Sequence, residues 1–350
     1  MTTLKKAIHK AEDAWDTAKF KVKNKLDLFD PVIIYPYRGY GNNSVAYLHG
    51  RILEKETVIH GDEERKESFW LNLHKVWKRF ESDEIPGVKI EGTLAGIECQ
   101  TVSDDEGYFT LKFEGLENLN LQNGWHKVSL LVLEMPFDLE FEGQTEGEIL
   151  ISNEQESFGI ISDVDDTIIE SYANDTFKRL KALMTKDGTS RTPFEGVSEL
   201  YQGLTKNYKN PLFFVSGSSY NLYDLLVTFC KHNNIPKAPF LLRDLGLDAK
   251  QWIKQGTMPY KLEYIERILD TYPKMSFILI GDSGQKDPEI YNNILKKYPN
   301  RIKAIYIRHV HTEKRKQELK ELAQQISVPF LVMENSNEAI EHAKENGWIV

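Results

Sequence analysis

The sequence predicts an α/β chain in which a Rossmann-like domain with a parallel sheet spans residues 156–350, preceded by a β-sandwich-like domain over 31–155 and an amphipathic helix over 1–30. Three observations carry this. After Ser157, near-continuous apolar runs alternate with segments of helical period, the pattern of strands buried on both faces of a parallel sheet. Between Pro31 and Ile151, short runs alternate apolar and polar residues between turn residues, as half-buried antiparallel strands do. The 350 residues also exceed one ordinary core and fit two domains.

From Leu4 to about Leu26, the residues Leu4, Ile8, Ala11, Trp15, Ala18 and Val22 recur at three- and four-residue spacing and mark one face of a helix. Its lysines and Trp15 suit an anionic membrane surface. The plainer reading docks the apolar stripe on its own domain and leaves the lysines in water. Strands are expected at Val32–Tyr35, Ser44–Leu48, Val88–Glu91, Ile97–Gln100, Tyr108–Phe113 and Lys127–Leu133, with a charged helix inserted at Asp62 to Glu81. Pro36 to Asn42, with Arg38 between two tyrosines and near two glycines, reads as a loop, either an ordinary connection or a receiver of a phosphate or lipid headgroup. Beyond Ser157, strands are expected at 158–162, 211–215, 239–242, 276–280 and 303–307. Helices are expected at about 176–184, 195–206, 219–232, 260–271, 288–298 and 312–325.

Composition narrows the function classes. Hydrophobic residues make up 41% and charged ones 28%, the balance of a globular protein. A net charge of −9 gives no footprint for nucleic acid, which needs a basic face to displace counterions. The two cysteines, Cys99 and Cys230, form neither a disulfide framework nor a zinc site, and no apolar stretch follows the first lysines as a signal peptide would. A cytoplasmic location is therefore expected, with peripheral membrane contact as the alternative that the N-terminal helix opens.

The chemistry gathers at three strand ends. Phe158-Gly159-Ile160-Ile161-Ser162 runs into Asp163-Val164-Asp165-Asp166-Thr167; Pro211 to Val215 ends in Ser216-Gly217-Ser218-Ser219; Ser276 to Ile280 ends in Gly281-Asp282-Ser283-Gly284-Gln285-Lys286-Asp287-Pro288. Between the last two, Lys261 opens a helix. Crowded carboxylates repel one another and resist desolvation, so a fold that parks them at a strand end normally supplies a cation. Ligands of open parallel sheets sit at the carboxyl ends of the strands. Three such endings in order would surround one point with a nucleophile, a hydroxyl donor and a metal-binding carboxylate.

On these residues the chain resembles the haloacid-dehalogenase (HAD) superfamily of aspartate-nucleophile phosphatases: Asp-x-Asp-x-Thr at Asp163 to Thr167, the serine at Ser216, the lysine at Lys261, and the acidic motif from Gly281-Asp282 to Asp287. Within it, Tyr-Arg-Gly-Tyr-Gly at 37–41, Ser-Asp-Val-Asp-Asp-Thr at 162–167 and Gly-Asp-Ser-Gly-Gln-Lys-Asp-Pro-Glu at 281–289 resemble the actin-patch-associated type of magnesium-dependent phosphatidate phosphatase. The resemblance implies that Asp163 attacks phosphorus and forms an aspartyl-phosphate, and that Asp165 protonates the leaving oxygen and then activates water. It implies Mg2+ as cofactor, held by Asp163, the main-chain carbonyl of Asp165 and Asp282, with Asp287 supporting the metal or orienting Lys261. Ser216 and Lys261 would contact the phosphoryl group, and Thr167, Gly217 and Ser218 complete the substrate-binding set, with Gly217 and Gly281 small where the chain nears phosphate. Lys286 and Lys254 are the alternatives for the lysine.

The intervals Thr167 to Pro211 and Ser219 to Lys261 are too short for a large separate cap, so an open site is expected, with Tyr172, Phe177, Leu183 and Met184 as either an apolar entrance or helix core. An open site would admit a bulky interfacial ester, in agreement with phosphatidate and a product diacylglycerol. Two other readings remain: the same chemistry on a soluble or protein phosphoester, and a membrane-peripheral scaffold with a non-catalytic second half.

Overall fold

The computed structural model describes residues 31–54, 85–153, 158–168, 194–206, 209–243, 258–310 and 312–349. The expected helices over 1–30, 62–81 and 176–184, the four candidate entrance residues and Lys254 lie outside these residues. The described chain divides into two compact units. One draws on the described residues within 31–36, 49–54, 85–111 and 128–147; the other on 37–48, 112–127 and the described residues from 148 onward.

The N-terminal region is β-rich. Its strands are β1 (Val32–Pro36), β2 (Gly39–Gly41), β3 (Val45–Glu54), β4 (Lys89–Leu94), β5 (Ile97–Val102), β6 (Tyr108–Glu114), β7 (Gly124–Glu134) and β8 (Gln144–Ile151). They form one hydrogen-bonded sheet in the order β1-β3-β2-β8-β7-β4-β5, with β6 added on β3. Along β4 every second residue is buried, so Ile90 and Leu94 face inward, the alternation that a half-covered strand requires. Pro36 to Asn42 is not wholly loop: Gly39–Gly41 forms β2, pairing antiparallel with β3 and parallel with β8.

The second unit is α/β. Six strands, β9 (Phe158–Ser162), β10 (Leu212–Ser219), β11 (Phe240–Arg243), β12 (Ser276–Asp282), β13 (Ile302–Arg308) and β14 (Phe330–Met333), form a parallel sheet ordered β11-β10-β9-β12-β13-β14. The first strand in sequence is thus central. The chain builds outward from it in one direction, then the other, which opens a switch point at the carboxyl ends of β9 and β12. All five residues of β9 are buried, as covering on both faces demands.

The helices are α1 (Val197–Thr205), α2 (Tyr223–His232), α3 (Met258–Thr271), α4 (Asp287–Lys297), α5 (Glu313–Ala323) and α6 (Ser336–Glu345). One face of the sheet packs Ile161, Phe213, Val215, Leu241, Phe277 and Leu279 against Ile265, Ile268 and Leu269 of α3 and Ile290 and Ile294 of α4. The helix expected from 219 begins with a short 3-10 turn at Tyr220–Leu222 before α2. β14 and α6, which no sequence pattern marked, extend the sheet past its expected edge.

Candidate active site

Apolar strands that terminate in polar residues deliver the site. β9 stops at Ser162 and β12 runs to Asp282; the Asp163 amide donates to the Ile280 carbonyl, which fixes the two strand ends side by side. Asp163, Asp282, Asp287 and Lys261 are each no more than 2% exposed. Carboxylate oxygens of the three acids lie within 4.8 Å of one another.

The Lys261 ammonium, in the first turn of α3, stands 2.8 Å from Asp163 Oδ1 and 2.7 Å from Asp287 Oδ1. Asp287 opens α4 just before Pro288, yet its carboxylate does not cap that helix. It accepts from Lys261 and from the Asp282 amide at 3.3 Å. Gly281 leaves room for it, since a Cβ there would sit 2.6 Å from Asp287 Oδ2. The smallness expected at Gly281 for phosphate serves the Asp287 carboxylate. Asp282 Oδ1 accepts from the amides of Gly284 at 2.6 Å and Gln285 at 2.8 Å, while its buried Oδ2 has no partner.

Three buried carboxylates share one ammonium, so the site lacks positive charge. Burial, reinforced by the Asp287 carboxylate and opposed by Lys261, pushes Asp282 up to about 7. Burial likewise raises Asp163 well above the usual carboxylate range; Lys261 opposes the shift, and Asp287, Asp282 and Asp165 add to it. Lys261 moves the other way from what its own burial would do, because Asp163 and Asp287 hold its proton on. Such a site keeps a proton or takes a cation. The all-oxygen donor set, without His or Cys, and the unpartnered Asp282 Oδ2 fit a hard divalent metal ion.

Asp165 is placed apart from this cluster. Its Oδ2 accepts from Ser216 Oγ and Ser218 Oγ, each at 2.9 Å. Alternation along β10 puts the two serines, two positions apart, on one side of the strand, where both reach one oxygen. The Ser218 amide also donates to Ser216 Oγ at 3.0 Å, and Gly217 between them is half-buried. Thr167 is buried with its hydroxyl unpartnered. Asp166 turns the chain after Asp165 with a left-handed φ of 57°, which aspartate tolerates. Lys286, one alternative for the lysine, is exposed.

Two residues that the sequence did not single out belong to this assembly. The Gln285 side-chain amide donates to Asp163 Oδ2 at 3.3 Å and to the Asp165 carbonyl at 3.4 Å, and its oxygen faces Lys261 at 3.5 Å. Arg308, at the end of β13 beside Asp282, donates from Nε to the Thr167 carbonyl at 3.1 Å and from Nη2 to Ser336 Oγ at 2.7 Å. Burial lowers the Arg308 guanidinium to about 10, and the Phe194 ring lies 4.1 Å from it. The signal available was positional, an arginine closing the apolar run Ala304 to Ile307 at the end where the acids gather.

Residues 158–309 match the family described as Phosphatidate phosphatase APP1, catalytic domain. Over 152 residues the chain is 34% identical to Phosphatidate phosphatase APP1 of Saccharomyces cerevisiae, covering 43% of this chain and 25% of that protein. It is 24% identical over 237 residues to an uncharacterised protein of Schizosaccharomyces pombe, covering 66% of this chain and 39% of the relative. The chain therefore spans well under half the length of both relatives. Among solved structures, a class C acid phosphatase from Bacillus anthracis with tungstate bound is similar at 14% identity and a TM-score of 0.29, covering 52% of this chain and 68% of that one, too slight a likeness to bear on fold or activity. The strand-end acids and Lys261 all lie inside residues 158–309, the segment similar to the APP1 phosphatidate phosphatase catalytic domain.

Proposed function

We propose that this chain is a magnesium-dependent phosphatase of the HAD type that hydrolyses phosphatidate to diacylglycerol through an aspartyl-phosphate on Asp163. The observation that carries the reading is the buried Asp163 carboxylate, held by Lys261 beside Asp282 and Asp287 inside the segment that matches the APP1 catalytic domain. The parallel sheet with the site at its carboxyl ends supports the superfamily. A β-sheet that branches at β3 supports a sandwich-like N-terminal domain.

In this reading Asp163 attacks phosphorus, the bond to the ester oxygen breaks, and Asp165 gives that oxygen its proton. Asp165 then takes a proton from water, whose oxygen attacks the acyl phosphate; the phosphorus–Asp163 bond breaks and phosphate leaves. Ser216 and Ser218 hold the Asp165 carboxyl in place through the donors already described. Lys261 keeps Asp163 oriented and offsets charge beside it. Asp163, the Asp165 carbonyl and Asp282 would hold magnesium, with Asp287 supporting. When bound, the ion supplies Lewis-acid stabilisation of charge on the transferring phosphoryl group.

Among the described residues no helix is long and apolar enough to cross a membrane. Phosphate release from phosphatidate in mixed micelles, measured beside a panel of soluble phosphomonoesters, tests the substrate. Release from the lipid is expected. Turnover of soluble esters with none on the lipid sinks the lipid assignment and spares the chemistry.

A further inference from the structure

Most cations at the carboxyl end of the parallel sheet are committed among the described residues. Lys261 is shared by Asp163 and Asp287, Arg308 is spent on Thr167 and Ser336, and Arg315 pairs with Glu289 and Glu318. Arg243, the last residue of β11, forms no hydrogen bond or ion pair among the described residues, and its Nε is buried without a partner. A guanidinium nitrogen withdrawn from water and left unpaired loses its hydration for nothing unless a ligand supplies the acceptor.

Its position is set by the strand. Phe240 stacks on Phe214 on one face of the sheet, with ring centroids 4.8 Å apart, while Leu241 joins Ile161, Val215 and Ile265 in the core on the other. Alternation along β11 then puts Arg243 on the Leu241 face, which is also the face of Asp163, two residues beyond Ile161, and of the helix that delivers Lys261. Across the strand pair, Arg243 lies opposite Ser219, next to the irregular stretch that carries Ser216 and Ser218.

We propose that Arg243 is a binding residue for the phosphate group of the substrate, supplying an uncommitted guanidinium to an incoming phosphomonoester dianion. This rests on the phosphatase reading. A planar guanidinium suits a phosphate better than an ammonium does, because two parallel N–H donors meet two oxygens. With Lys261 occupied by carboxylates, an entering dianion would otherwise meet more negative than positive charge.

The test measures inorganic phosphate binding to the full chain in magnesium buffer by calorimetry, for wild type, Arg243→Gln and Arg243→Lys, alongside KM and kcat on phosphatidate micelles. Arg243→Gln is expected to weaken phosphate about 10- to 100-fold and to raise KM more than it lowers kcat, with Arg243→Lys between it and wild type. In phosphate-free buffer the unfolding midpoint of both variants should match wild type, since no partner among the described residues is lost. Wild-type affinity in both variants, or a lowered midpoint without phosphate, overturns the proposal. Phosphate binding that depends on Arg243 in a protein that hydrolyses no ester sinks the phosphatase reading alone. Hydrolysis with unchanged affinity and KM in Arg243→Gln sinks the arginine alone.

Discussion

Lys261 Nζ bridges Asp163 Oδ1 at 2.8 Å and Asp287 Oδ1 at 2.7 Å, with all three side chains buried. One ammonium thereby serves two carboxylates, and its removal would leave three acids facing each other without water. Lys261→Met is expected to cost about 3–5 kcal/mol at pH 8. The deficit should shrink at pH 5, where protonation of the raised carboxyls relieves the repulsion. Urea unfolding at both pH values checks this; an equal deficit at both would mean that the lysine stabilises by packing alone.

The same shortage of positive charge fixes the pH dependence of the metal-free protein. Asp282 titrates near 7 when folded and near the ordinary carboxyl value of about 4 when unfolded. Between these values the folded state holds a proton that the unfolded chain has released, so stability falls as pH rises, by at most about 4 kcal/mol. Magnesium should displace that proton and flatten the slope. Thermal midpoints from pH 4 to 8 in EDTA and in magnesium read both effects. A midpoint in EDTA that climbs across this window contradicts the account.

Ser216 and Ser218 donate to the same Asp165 oxygen. Either alone should hold the carboxyl roughly in place, so Ser216→Ala and Ser218→Ala are each expected to lower kcat about 10-fold. The double variant should lose more than the product of the two, because the last donor goes with it. Steady-state rates on a soluble phosphomonoester measure it; strict additivity would show that the two hydroxyls act on different things.

Gly281→Ala would bring a methyl to 2.6 Å from Asp287 Oδ2 and displace the carboxylate from Lys261. A loss of about 1–3 kcal/mol by urea unfolding is expected, with a fall in phosphate release. Wild-type stability would mean that α4 shifts without strain.

The acids were legible because each ends an apolar run, and such a run reads as a buried strand whose end must meet water or a ligand. Lys261 was legible from its place at the start of a helix between two such endings. Gln285 and Arg308 were not, since their partners lie at Asp163, Asp165, Thr167 and Ser336, contacts that no local pattern encodes. β2 escaped notice because Gly-Tyr-Gly has little strand preference of its own. Packing makes it a strand: a Cβ on Gly39 would lie 2.3 Å from the Tyr47 carbonyl oxygen, so β3 can approach only a glycine. β14 is four residues long at the sheet edge, and its apolar run after Pro329 is too short to separate from loop.

The account stands on Asp163 as the group that takes the phosphoryl. Wild-type protein turning over phosphatidate with magnesium, quenched in acid within the first turnovers and digested for mass spectrometry, should carry one phosphoryl group on the peptide containing Asp163, and Asp163→Asn should carry none and release no phosphate. Turnover in which that peptide stays unmodified, or in which Asp163→Asn keeps wild-type rates, would contradict it.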